Sequence, residues 1–329
     1  MTQDSDPDDW HFLPFFRNEA GAEDDSWIVR TDELEYLIEN TCSSGLRPAR
    51  WQGSAVVATQ RVMICERCND AIAAAPADVN VEAKMRRKFG SFVAECRVNL
   101  RLRHPNVVRF LGVSVNPATR SPKDLIFELP SGGSVLHMLE RAEPLIASRI
   151  HAIAVDIASA LKYLHSRKPP VLHLSVNPRT ILIDALEIAK LMPLATVPSS
   201  LPEPTDFDLM FVAPELRRLL DHYTDDAILD SKRVCPITGA VKPDAPGKTP
   251  AADLYSLGKI LLELLAIKQP LGGNAAASDP LCNVQLACKL TDLATALTAL
   301  EPTERPCATK TLEALLAMYP RAIPGAPAL

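Results

Sequence analysis

Apolar positions along this chain follow two periods. Ile150, Ile153, Ala154, Ile157, Leu161 and Leu164 recur at the spacing of one helical face and predict a helix over residues 148–166. Phe92, Val93, Cys96 and Leu100 repeat that spacing and predict an earlier helix. Residues 259–266 are apolar nearly all round, so their helix must be buried. Residues 290–300 and 307–318 read as the closing helices. Two short apolar runs, 180–183 and 188–191, flank a turn at residues 184–187 and predict a strand–turn–strand hairpin.

Composition narrows the classes. The chain has 329 residues, 47% of them apolar, enough for one two-lobed unit or two domains. Its formal net charge is −5, with no basic block, which argues against nucleic acid and anionic membrane as partners. No apolar run reaches the ~20 residues of a membrane span. The start is acidic (Asp4, Asp6, Asp8, Asp9) and carries the aromatic residues Trp10, Phe12, Phe15 and Phe16, so residues 1–26 read as a partly disordered leader rather than a signal peptide. The eight cysteines are scattered. Cys65 and Cys68 form a lone CxxC without the second pair that a zinc site needs, so reduced thiols and a cytoplasmic location are expected.

Several motifs then fall in a telling order: His104-Pro105-Asn106-Val107-Val108, Gly132-Gly133-Ser134, His173-Leu174-Ser175 with Pro178, Ala213-Pro214-Glu215, Asp253 with Gly258, and Arg305. Together they resemble the eukaryotic protein kinases, the tyrosine-kinase-like serine/threonine group above all. The resemblance implies a two-lobed α+β fold. Its N-lobe, about 27–128, would be a small antiparallel sheet with one regulatory helix. Its C-lobe, about 132–320, would be mainly helical, with an insertion at about 218–248 and a tail at 321–329. The insertion reads as a surface excursion that could serve a partner.

What the resemblance retains is architectural, and what it lacks is chemical. By analogy, Gln60 stands at the strand lysine, Ser175 at the catalytic aspartate, Thr180 at the catalytic-loop asparagine and Pro193 at the metal-binding aspartate. A hydroxyl cannot replace a carboxylate base, and proline offers magnesium no side-chain ligand. Gly45 is the only glycine where a glycine-rich loop would lie, and Pro48 has no N–H. Arg47 or Arg50 could supply a displaced charge. Val57, Ala58, Phe127 (the gatekeeper position), Leu129 and Leu182 would outline a nucleotide cleft. Glu95, His173, Glu215, Asp253 and Arg305 would be structural, Glu215 pairing with Arg305.

The expected function is that of a pseudokinase, a signalling scaffold or allosteric partner. Its own partner would be a protein, such as an active kinase. No catalytic residue and no metal are expected; ATP stays open as a ligand and magnesium does not. The alternatives are an ATP-binding regulator without transfer, or an atypical active kinase whose nearest substitute carboxylates are Asp184 and Glu187.

Overall fold

The computed structural model describes residues 28–37, 46–60, 96, 98–115, 122–141, 145–193, 206–221, 249–267 and 280–318. The leader, the loop around Gly45, the CxxC pair, Glu95, most of the 218–248 insertion and the 321–329 tail lie outside these residues. The chain divides into a sheet unit and a helical unit.

The sheet unit has six strands: β1 (Ile28–Arg30), β2 (Leu34–Tyr36), β3 (Leu46–Trp51), β4 (Ser54–Gln60), β5 (Phe110–Val115) and β6 (Pro122–Glu128), in the order β1-β5-β6-β4-β3-β2. The sheet is mixed rather than wholly antiparallel, because β1 runs parallel to β5. β1 and β2 occupy opposite edges, yet only the 3-10 turn Thr31–Glu33 joins them. A connection that short requires the sheet to curl until its edges approach. The inside of the curl holds Val29, Leu34, Ala49, Val56, Ala58 and Ile126, all buried. One polar group is built in beside them. Asp124 is fully buried, and its Oδ2 accepts the Tyr36 hydroxyl at 2.6 Å and the Ser114 hydroxyl at 3.3 Å. Burial pushes the Tyr36 phenol well above its usual range, with the Asp124 charge adding to the shift. Pro48 is a strand residue rather than part of the preceding loop, and its carbonyl accepts the Leu37 N–H.

Of the predicted earlier helix, residues 96 and 98–101 are described and helical. Residues 103–108, with the His-Pro-Asn motif, belong to the helical unit although 27–128 was expected to form one lobe.

The helical unit contains α1 (Val135–Arg141), α2 (Ala147–His165), the hairpin strands β7 (Ile181–Ile183) and β8 (Ala189–Leu191), α3 (Asp206–Leu209), α4 (Pro214–Asp221), α5 (Pro250–Ala266), α6 (Pro280–Leu297) and α7 (Ala308–Met318). α2 packs against α5, α6, α7 and β8. α5 buries Leu254, Leu257, Ile260, Leu261 and Leu264. It starts at Pro250, ahead of the 259–266 stretch that predicted it, because Pro250 supplies a first-turn φ and sacrifices an N–H that has no helical partner there. α6 likewise begins at Pro280, ten residues before the expected 290. Gly258 lets α5 and α6 touch: a Cβ there would lie 2.7 Å from the Leu297 Cβ.

Candidate functional site

The hairpin fixes the loop that precedes it. β7 and β8 pair Ile181 with Leu191 and Ile183 with Ala189. Asp184 Oδ1 closes the turn by accepting the Leu186 and Ile188 N–H groups at 2.8 and 2.9 Å. Glu187 has φ +62° and pairs with Arg149 at 3.1 Å. Both carboxylates therefore serve the turn. β8 is tied to the core through its own backbone: the Ala189 N–H donates to Asp156 Oδ2, and the Ala189 carbonyl accepts Asn106 Nδ2.

Asp253, fully buried on α5, organises the loop. Its Oδ2 accepts the His173 N–H at 2.9 Å and His165 Nε2 at 2.8 Å, and its Oδ1 accepts the Leu174 N–H at 2.6 Å. These bonds hold Leu174 at φ +54°, a left-handed conformation that leucine rarely adopts. His173 is buried too. Its Nε2 donates to the Met192 carbonyl at 2.7 Å while its Nδ1 accepts the Ser175 N–H at 3.3 Å, which defines a neutral ring. Burial pushes its pKa down, against the upward pull of Asp253. The end of β8 is thus pinned to the loop through Met192, immediately before Pro193.

Thr180 completes the loop from within. Its hydroxyl accepts the Asn177 N–H at 3.0 Å and lies 3.2 and 3.0 Å from the Ser175 and Asn177 carbonyls. Asn177 Oδ1 in turn accepts the Arg179 and Thr180 N–H groups. The three positions that the resemblance assigns to base and metal ligation hold a serine, a threonine spent on its own loop, and a buried proline. This donor set does not fit magnesium, which calls for carboxylate oxygen. Among the described residues no cluster of three or more His, Cys, Asp or Glu side chains could hold a metal.

In the sheet unit, β4 pairs Val57 with Phe127, Ala58 with Ile126, Thr59 with Leu125 and Gln60 with Asp124. Directly paired residues share a face, and faces alternate along a strand. The strand position of Thr59 therefore shares the face of Val57 and Phe127, whereas that of Gln60 falls on the face of Ala58, Ile126 and Asp124. Val57 and Ala58 do not line one surface together; Ala58 belongs to the interior of the curl. Neither Thr59 nor Gln60 is a cation, so the absence of a strand lysine holds in either register. Phe127 is fully buried against Phe110, with ring centroids 5.2 Å apart.

The last residue of β6 and the two that follow it have no N–H to spare. The Glu128 N–H donates to the Arg109 carbonyl at 3.0 Å, the Leu129 N–H reaches the Ala55 carbonyl at 3.4 Å, and Pro130 has none. Arg47, a candidate displaced charge, lies with its guanidinium carbon 3.9 Å from the Tyr36 ring centroid. Leu182 is buried in β7 of the helical unit and bridges Ser134.

Glu215 and Arg305 form a bidentate pair at 2.6 and 2.9 Å. The guanidinium also donates to the carbonyls of Ala299, Ala251 and Leu300. All five of its N–H groups are thereby used. Asp206 and Phe207 lie in the short helix α3, and Phe207 meets Phe211 edge-on at 5.1 Å. Two partnerships had no signal in the linear sequence: His165 with Asp253, 88 residues apart, and Asp156 with Ala189, 33 apart.

Comparison with known proteins places this geometry. The profile of the protein kinase domain matches residues 59–223. The serine/threonine-protein kinase CTR1 of Arabidopsis thaliana is 28% identical over 223 residues, covering 64% of this chain and 24% of that protein. The LRR receptor-like serine/threonine-protein kinase EFR of the same plant is 30% identical, covering 55% of this chain and 17% of its own length. The serine/threonine-protein kinase-like protein CCR4, also from Arabidopsis thaliana, is 30% identical, covering 57% of this chain and 23% of its own length. This chain thus spans a quarter or less of each of these relatives.

Proposed function

The chain belongs to the protein kinase domain family, and from that premise we propose that it is a pseudokinase: a kinase fold that binds and positions signalling partners without transferring phosphate. One observation carries the reading. The loop keeps its framework (Asp253 on two backbone N–H groups, His173 on Met192, Glu215 on Arg305), while Ser175, Thr180 and Pro193 supply neither a base nor a carboxylate for metal. Phosphoryl transfer depends almost wholly on positioned charge, so loss at these positions removes the reaction and leaves the scaffold. The lack of a spare N–H in residues 128–130 weighs in addition against recognition of an adenine edge. Among the described residues no helix is long and apolar enough to cross a membrane, and the reading places the protein in the cytoplasm beside a signalling protein such as an active kinase.

The test is direct. Purified protein, incubated with labelled ATP, magnesium and a general protein substrate, is expected to transfer no label. Magnesium-dependent transfer that co-elutes with the chain and disappears in a Ser175→Ala, Thr180→Ala double variant overturns the proposal. A thermal-shift titration separates the nucleotide question: a ligand at 100 times its Kd would add ~2.7 kcal/mol of stability. No shift is expected at millimolar ATP, with or without magnesium.

A further inference from the structure

The C-terminal end of α2 carries more positive charge than the fold uses. Lys162, Arg167 and Lys168 are exposed there, and among the described residues none of the three pairs with an acidic side chain. Arg103, also exposed, comes from a distant part of the sequence to the same place, its backbone N–H donating to the Tyr163 hydroxyl at 2.8 Å. Tyr163 is the centre of the group. The Arg167 guanidinium carbon lies 4.3 Å from its ring centroid, and the His104 ring stacks on it at 4.9 Å. The local field is felt by His104, whose pKa is pushed down by burial and then by the Arg167 charge.

Cations at a helix C-terminus often serve its orphan carbonyls. Here three of the last four are already served. The Lys162 carbonyl accepts the Ser166 N–H, the Tyr163 carbonyl accepts the Ser166 hydroxyl, and the Leu164 carbonyl accepts the Arg167 and Val171 N–H groups. The Lys162, Arg167 and Lys168 charges are left facing solvent on a chain whose formal net charge is −5. The Arg167 guanidinium, seated over the Tyr163 ring, carries the donor fork that suits a carboxylate or phosphoryl group.

We propose that Lys162, Arg167 and Lys168, clustered in sequence about Tyr163 at the end of α2, form a docking site for an acidic segment of a protein partner, its anions being carboxylates or phosphoryl groups. Charge complementarity selects that occupant. Three exposed cations beside one tyrosine match a short acidic stretch, whereas nucleic acid needs a longer track of phosphate contacts. The site stands whether or not the chain transfers phosphate.

Fluorescence anisotropy on the full chain tests it, with a labelled Glu-rich peptide, its phosphoserine version and a neutral control. The acidic peptides are expected to bind with an affinity that falls as salt rises, the neutral one not to bind. The Arg167→Glu, Lys168→Glu variant is expected to lose about tenfold or more in affinity while staying folded, its melting temperature lowered only slightly by loss of the Tyr163 contact. Equal binding by the variant overturns the site. Tighter binding of single-stranded RNA or phosphatidylserine vesicles than of either acidic peptide overturns the assignment to a protein partner.

Discussion

Leu174 shows at the scale of one residue how the loop ahead of the hairpin is held. Its φ of +54° costs an L-residue with a β-carbon about 1–2 kcal/mol, and Asp253 offsets that by accepting two consecutive N–H groups. Leu174→Gly is therefore expected to be neutral or to stabilise by up to about 1 kcal/mol in urea denaturation. Asp253→Ala leaves one buried and two half-buried donors unpaired around a buried site and is expected to destabilise by about 3 kcal/mol in the same assay. The histidines add a pH dependence. His104 and His173 both hold their proton less readily in the fold than the ordinary 6.5. The unfolded chain therefore takes up more protons as pH falls through that value, and stability falls with it. Above about pH 7 the stability is fully present, and the urea midpoint is expected to drop on acidification below 6.5, less steeply in His104→Asn. The strand face that matters was not legible residue by residue. Val56, Val57 and Ala58 form an unbroken apolar run with both faces buried, and such a run carries no alternation from which to read parity. Only the ladder to β6 places Thr59 rather than Gln60 on the face of Phe127.

At the scale of elements, α4 and the turn before α7 are joined by one pair. Glu215→Ala strands a guanidinium whose side chain is wholly buried, and is expected to cost about 3–5 kcal/mol. Arg305→Lys should recover little of that stability, because an ammonium cannot make the bidentate bond and reach three carbonyls as well. Gly258→Ala drives a methyl against Leu297 and is expected to cost about 1–3 kcal/mol, read as a lowered melting temperature. The hairpin β7–β8 and the helix α2 were legible because each writes a clean period into the chain. The starts of α5 and α6 were missed although Pro250 and Pro280 mark them; apolar periodicity weakens in the first turn, where the proline signal has to be read instead.

For the whole molecule, the proposed loss of phosphoryl transfer is a loss of several charges at once. Ser175→Asp alone is expected to restore no transfer in the labelled-ATP assay, since Thr180 and Pro193 still leave magnesium without its ligands, and to change stability by less than about 1 kcal/mol at a half-buried site. The order of motifs along the chain, the absence of carboxylates at Ser175, Thr180 and Pro193, and the amphipathic period of α2 were decided by the sequence alone, because side-chain chemistry and local periodicity need no partner to be read. Tertiary structure decided the rest. It brought Asp253 to two backbone N–H groups nearly eighty residues away, spent the Thr180 hydroxyl on its own loop, and set Arg103 beside Tyr163 across 60 residues of chain. Those contacts exist only where packing closes long loops, and no local pattern encodes which distant groups will then meet.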